Sequence, residues 1–106
     1  MATSDIDLLI QLISKLPGLG PRSARRATLH MIRNKERLLK PLAAAMAAAS
    51  KSVQKCSICG NLDTVSPCAI CTDARRDPAI ICVVEEVADL WALERTAAFK
   101  GRYHIL

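Results

Sequence analysis

The chain has 106 residues, of which 51% are hydrophobic, 24% charged and only 3% aromatic, a length for one compact domain or two very small ones and a composition too apolar for a disordered polypeptide. No apolar run approaches the roughly 18 to 20 residues of a membrane span, and Asp5 and Asp7 stand where a secretory signal needs basic residues, so no membrane association is expected and the expected location is the cytoplasm. The formal charge of +5 is uneven: up to Lys55 ten Lys and Arg oppose three Asp and Glu, a net +7, whereas from Cys56 onward five oppose seven, a net −2; the front half suits a polyanionic partner and the back half does not.

The first predicted element is a helix capped by Thr3 or Ser4, with Ile6, Leu9, Ile10, Ile13 and Leu16 recurring at helical spacing. Leu8 and Leu12 widen the stripe until little of the helix is polar, so it needs covering by neighbouring helices or by another copy of the chain. Leu16-Pro17-Gly18-Leu19-Gly20-Pro21 then breaks the pattern with two glycines open to positive φ and a proline suited to the first turn of a new helix. That second helix is expected from about Pro21 to Asn34, with Ala24, Ala27, Thr28, Met31 and Ile32 inward and Arg22, Arg25, Arg26 and Arg33 mostly outward.

A third helical stretch runs from Glu36 to Lys55, broken or restarted at Pro41, which has no amide hydrogen to give a preceding turn. Its alanine-rich part, Ala43 to Ala49, reads as a spacer or a close-packing face. Between Cys56 and Thr72 no period persists and cysteines organise the segment. Ala79 to Val84 is a β-branched run expected to form a strand buried on both faces, Val87 to Phe99 a helix with Leu90, Trp91, Leu93 and Ala97 as apolar positions, and Tyr103 to Leu106 a second strand. These make one strand-helix-strand unit, which by itself cannot cover both faces of its sheet; the chain is therefore expected to be a fragment of a longer protein.

Chemistry concentrates in three places. Cys56-x2-Cys59 and Cys68-x2-Cys71, eight residues apart, put paired thiolates on two tight turns, the pattern of a closed structural zinc site. An odd cysteine count without a secretory signal argues against a disulfide scaffold; a redox pair is the other reading. Zinc with four thiolates carries two negative charges, lowering the net charge to about +3, and Lys51, Lys55, Arg75 and Arg76 flank the site to offset them. Second, Gly18 and Gly20 let backbone amides converge at a helix start, a geometry for a phosphate oxygen, and Arg22, Arg25 and Arg26 add charge on the same turns; the plain alternative is a glycine turn that only reverses direction. Third, Glu85, Glu86 and Asp89 follow the first strand, at the edge where α/β sheets bind ligands or Mg²⁺, or serve only as partners of a helix dipole. His30, Cys82, Trp91 and His104 carry no chemistry in this reading, and Trp91 and Cys82 are expected in the core.

The order of these parts, Leu-Pro-Gly-Leu-Gly-Pro-Arg-Ser-Ala-Arg-Arg, Cys-Ser-Ile-Cys-Gly-Asn-Leu-Asp-Thr, Cys-Ala-Ile-Cys-Thr-Asp, Ile-Cys-Val-Val-Glu-Glu and Gly-Arg-Tyr-His-Ile-Leu, resembles the RecR family of bacterial recombination mediators over nearly the whole chain. The resemblance implies an α+β architecture: a helix-hairpin-helix region for DNA binding and association (residues 1–55), a four-cysteine zinc motif (56–72) and the opening of a truncated Toprim α/β domain (78–106). It implies a protein without catalytic activity that acts in recombinational repair, forms a ring or clamp, and works with RecO and RecF to load RecA on single-stranded DNA in the nucleoid. Carried over by position, Gly18, Gly20, Arg22, Arg25 and Arg26 would meet DNA independently of sequence, and Cys56, Cys59, Cys68 and Cys71 would hold Zn. Glu85 falls on the Toprim glutamate position without being called catalytic. A homo-oligomer is implied, a dimer at least and a tetramer in the complete protein. Two other classes stay open: a Mg²⁺-dependent Toprim nuclease or topoisomerase fragment using Glu85, and a zinc-ordered assembly module without DNA binding.

Overall fold

A computed structural model describes residues 4–106. The described residues fall into two compact units that divide between Ala48 and Ala49, and each is built separately.

In the first unit, Ser4 caps α1 (Asp5–Ile13), its Oγ accepting the Asp7 amide hydrogen at 3.1 Å, with Asp5 and Asp7 in the favourable first turn. Thr3, the other cap considered, lies outside the described residues. A turn follows, closed by the Leu16 carbonyl accepting from the Leu19 amide at 3.1 Å, and Gly18 takes φ +80°, a left-handed conformation that costs glycine nothing. Pro21 opens α2 (Pro21–Arg33), and α1 and α2 pack on one another. Ala24, Thr28 and Met31 of α2 are buried, at positions i, i+4 and i+7 of one face. No residue of α1 is buried, and Leu8, Leu12 and Leu16 stay about half exposed, so its broad apolar surface is not covered within the described chain.

The third helical stretch departs from expectation at both ends. The break falls before Pro41: Asn34 leaves helical geometry, and residues 35–39 form a wide turn in which the amides of Leu39 and Lys40 reach back five residues, to Asn34 and Lys35. Pro41 then sits in the first turn of α3 (Lys40–Ser52), where a missing amide hydrogen goes unnoticed. The helix stops at Ser52 because Gln54 and Lys55 are drawn into a strand. Its alanine face is exposed rather than covered.

In the second unit, β1 (Gln54–Lys55) pairs antiparallel with β2 (Leu62–Asp63), Gln54 opposite Asp63. These two short strands went unpredicted. β3 (Ile81–Val84) and β4 (Arg102–Ile105) form the expected parallel pair, Ile81 opposite Arg102 and Val84 opposite Ile105, bridged by α4 (Val87–Arg95). The core here is Val84, Leu90 and Tyr103, with Phe99 meeting Tyr103 edge to face at 5.1 Å between ring centres. α4 stops at Arg95, short of the predicted Phe99, and Ala97 turns to φ +55°.

β3 is not buried on both faces: Ile81 and Val83 are 61% and 57% exposed. A β-branched run records that a strand can be covered, and in a two-stranded sheet only the α4 side is. Cys82 is half-buried and packs against the core cluster. Gly101 is the most tightly enclosed of the glycines, since a Cβ there would lie 2.5 Å from the Ile80 carbonyl oxygen and 2.6 Å from the Phe99 ring. Gly101→Ala is expected to destabilise this unit by about 2 kcal/mol or more, visible as a lower urea midpoint.

Candidate metal centre and nucleic-acid interface

The four cysteines sit where two tight turns meet. The first turn begins where β1 ends: the Gly60 amide donates to the Cys56 carbonyl at 3.1 Å and the Cys56 amide to the Asn61 carbonyl at 2.6 Å, with Gly60 at φ +90°. The second is pinned by Asp63, whose carboxylate accepts the amides of Ala69 at 2.9 Å and Thr64 at 2.7 Å. These bonds, the Ala69 amide foremost, hold the Asp63 carboxyl below its ordinary pKa. On the far side Thr72 caps the Cys68 carbonyl through both its amide and its hydroxyl.

All four thiols are buried. Their sulfurs lie within 4.8 Å of one another, Cys56 to Cys71 at 3.8 Å and Cys59 to Cys68 at 3.6 Å. Tetrahedral zinc with bonds of about 2.3 Å requires sulfurs about 3.8 Å apart, so the spacing fits the ion. Amides converge on the sulfurs as well: Ile58 and Cys68 donate to Cys56 Sγ at 3.4 and 3.2 Å, and Asn61 to Cys59 Sγ at 3.4 Å. Burial alone would raise the thiols of Cys56, Cys59 and Cys71. At Cys56 it is outweighed by the amides of Cys59, Cys68 and Ile58, which bring that thiol down to about 6. Burial pushes Cys59 up to about 11, and burial with the neighbouring thiols raises Cys71 further. Such a site gives up one proton readily but cannot hold four adjacent thiolates unless a cation balances them. Four sulfur donors leave no open position, so the metal they suit is structural.

The expected flanking cations are only partly there. Arg76 turns away to pair with Glu94 and Asp73, and Arg75 pairs with Asp73. Asn61 was missed as a site residue: it is 5% exposed and its Oδ1 accepts the indole N–H of Trp91 at 2.9 Å. Trp91 is thus not core but half exposed, and no periodicity links residues thirty positions apart.

The glycine hairpin lies in the other unit. A Cβ on Gly18 or Gly20 would meet nothing within 4 Å, so the backbone there is open to approach. No side chain caps the start of α2, which leaves the amides of Arg22 and Ser23 facing outward with the positive end of the helix. Arg22, Arg25 and Arg26 are all exposed. Arg26 continues into a shallow groove of about 550 Å³ shared with Ser23, Ala27, Leu29, His30 and Arg33. Arg33 follows Arg26 by seven residues, two helical turns, a spacing readable in the sequence although it was not singled out.

The acidic group behind β3 resolves differently. Glu86 caps α4 and forms a reciprocal box with Asp89, whose carboxylate accepts the Glu86 amide at 3.1 Å. Both carboxylates thus serve the helix, and Glu85 is exposed beside them. Among the described residues the four cysteines are the one group of His, Cys or carboxylate side chains whose ligand atoms converge, and no helix is long and apolar enough to cross a membrane.

The described residues thus carry a two-helix hairpin unit, a four-cysteine motif suited to zinc and a strand-helix-strand unit. Family profiles give the same parts: the helix-hairpin-helix of RecR over residues 6–50, the four-cysteine zinc finger domain of RecR over 53–73 and a Toprim domain over 79–106. Curated relatives named recombination protein RecR are 62% identical over 106 residues in Paramagnetospirillum magneticum, 63% over 106 in Mesorhizobium japonicum and 66% over 102 in Parvibaculum lavamentivorans. They align with 96 to 100% of this chain, which spans about half their length. The chain belongs to the RecR family, and its cofactor is zinc.

Proposed function

We propose that this chain is the DNA-engaging and zinc-ordered part of a recombination mediator that binds the sugar-phosphate backbone without reading sequence. The observation that carries this is the open hairpin: Gly18 and Gly20 with free space above them, outward amides of Arg22 and Ser23, and the exposed guanidinium groups of Arg22, Arg25 and Arg26 beside them. Donors of this kind serve phosphate oxygens, and none of them presents a helix suited to a base edge. Cys56, Cys59, Cys68 and Cys71 hold the zinc as a structural ion. The reading assigns the chain no catalytic role; Glu86 and Asp89 cap α4, and Glu85 stands exposed beside them. In the complete protein, assembly of copies and cooperation with RecO and RecF to load RecA follow from family membership.

The double change Arg22→Ala and Arg26→Ala tests the interface. Both residues are exposed, so the fold should survive, as circular dichroism will show. Affinity for unrelated DNA sequences is expected to fall alike, about tenfold or more at low salt, and the log–log dependence of binding on salt to become shallower by about two contacts' worth. Unchanged affinity, or a loss confined to one sequence, would overturn the reading.

A further inference from the structure

Trp91 is the single tryptophan of the chain, and it sits next to the fully buried Leu90, yet the residue is itself 50% exposed. Burial does not explain its placement; its indole N–H does. That group donates to Asn61 Oδ1, and Asn61 is tied by its main chain into the sulfur cluster, its amide on Cys59 Sγ and its carbonyl on the Cys56 amide. One side-chain hydrogen bond therefore joins α4 to a residue gripped by two of the four cysteines. A second link runs beside it: the Ile105 amide, at the end of β4, donates to the Cys59 carbonyl at 2.9 Å. Ile70 packs against both the sulfur cluster and the cluster of Val84, Leu90 and Tyr103.

We infer that Asn61 and Trp91 form a latch that couples metal occupancy of the cysteine centre to the strand-helix-strand layer. Zinc fixes Cys59 in a tetrahedron and with it the acceptors that Trp91 and Ile105 use; when the metal leaves, both acceptors move. Coupling is reciprocal, so whatever zinc does for the Trp91–Asn61 bond, that bond does for zinc retention. Asn61 and Trp91 are positioning residues, acting on the metal through Cys59 and Cys56. An agent that empties the centre, a chelator or a thiol oxidant, would thereby be registered in α4 and β4.

The latch rests on zinc filling the four sulfurs, so zinc content is measured first on the purified chain. Transfer of zinc to the chromogenic chelator 4-(2-pyridylazo)resorcinol is then timed, with Trp91 emission and hydrogen exchange of the Ile105 amide followed in parallel. Metal loss is expected to shift Trp91 emission to longer wavelength and to speed Ile105 exchange at least tenfold. Trp91→Phe and Asn61→Leu should each still bind one zinc and release it at least threefold faster, and the double variant should be no faster than either single one. Wild-type release rates in both singles, or additive effects in the double, overturn the latch while leaving one zinc per chain in place; a wild-type content far below one zinc removes the metal reading itself and the latch with it. If Asn61→Leu does not fold, Trp91→Phe decides alone, and release and Ile105 exchange at wild-type rates overturn the proposal.

Discussion

Cys68→Ser is expected to strip the zinc from the chain and to melt the segment from 53 to 73. Cys68 is fully buried, with its sulfur 3.6 Å from that of Cys59, and the segment has little else to hold it: β1 and β2 are two residues each, and the core there is the four cysteines with Ile70 against them. In small zinc motifs the ion supplies about 10 to 16 kcal/mol of apparent binding energy, most of which is folding energy, so removing one of four ligands should lower zinc affinity by several powers of ten. Metal analysis of the purified variant and loss of exchange protection at the Cys56 and Gly60 amides will show it, while the helical signal of α1 and α2 is retained. Acid should do the same without a mutation. Zinc binding releases protons from the thiols, so affinity falls as pH falls, and the metal should leave in mildly acidic buffer.

The second large effect is expected at Arg76. Its guanidinium, 14% exposed, donates to both Glu94 oxygens and to the Gly101 carbonyl at 3.0 Å, and lies 3.6 Å from Asp73; Glu94 also accepts the Tyr103 hydroxyl at 2.5 Å. This network ties the stretch after Cys71 to α4 and to β4. Arg76→Met keeps the volume but leaves the half-buried Glu94 carboxylate without its cation, and a loss of about 3 kcal/mol is expected in urea unfolding followed by Trp91 emission. Removing the charge as well, in Arg76→Met with Glu94→Gln, should recover part of that loss, because the stranded carboxylate is gone. The pH dependence has a definite sign. Burial pulls the Glu94 carboxyl up, but Arg76 and Tyr103 outweigh it and hold it below its ordinary value. Its stabilising contribution is therefore present above the ordinary glutamate value of 4.5 and is lost as pH falls through the lowered value.

The parts of the molecule that could be read in the sequence are those fixed by short spacing. Two Cys-x2-Cys pairs specify two turns whatever surrounds them, Gly18 at φ +80° marks a reversal that other residues resist, and Pro21 announces a helix start. Ser4, Pro21 and the Glu86–Asp89 box bounded their helices by rules that operate within four residues. What escaped depends on distant partners. Arg76 and Glu94 are eighteen residues apart, Asn61 and Trp91 thirty, and neither pair leaves a periodic trace. The wide turn at 35–39 escaped for a different reason: the proline expected to break the helix is harmless in its first turn, and the real break is made by Asn34 leaving helical geometry. β3 shows the limit of reading burial from composition, since β-branched residues promise a strand but not a cover.

That wet strand face has a practical consequence for handling the protein. Ile81 and Val83 are both more than half exposed, and contacts made through such a surface are strengthened by salting-out anions such as sulfate, whereas attraction between guanidinium groups and phosphates fades as ions are added. Ionic strength therefore sorts the two kinds of association by sign: complexes that dissolve as ammonium sulfate rises belong to the arginine hairpin, and those that grow belong to exposed apolar surface, the sheet face or that of α1.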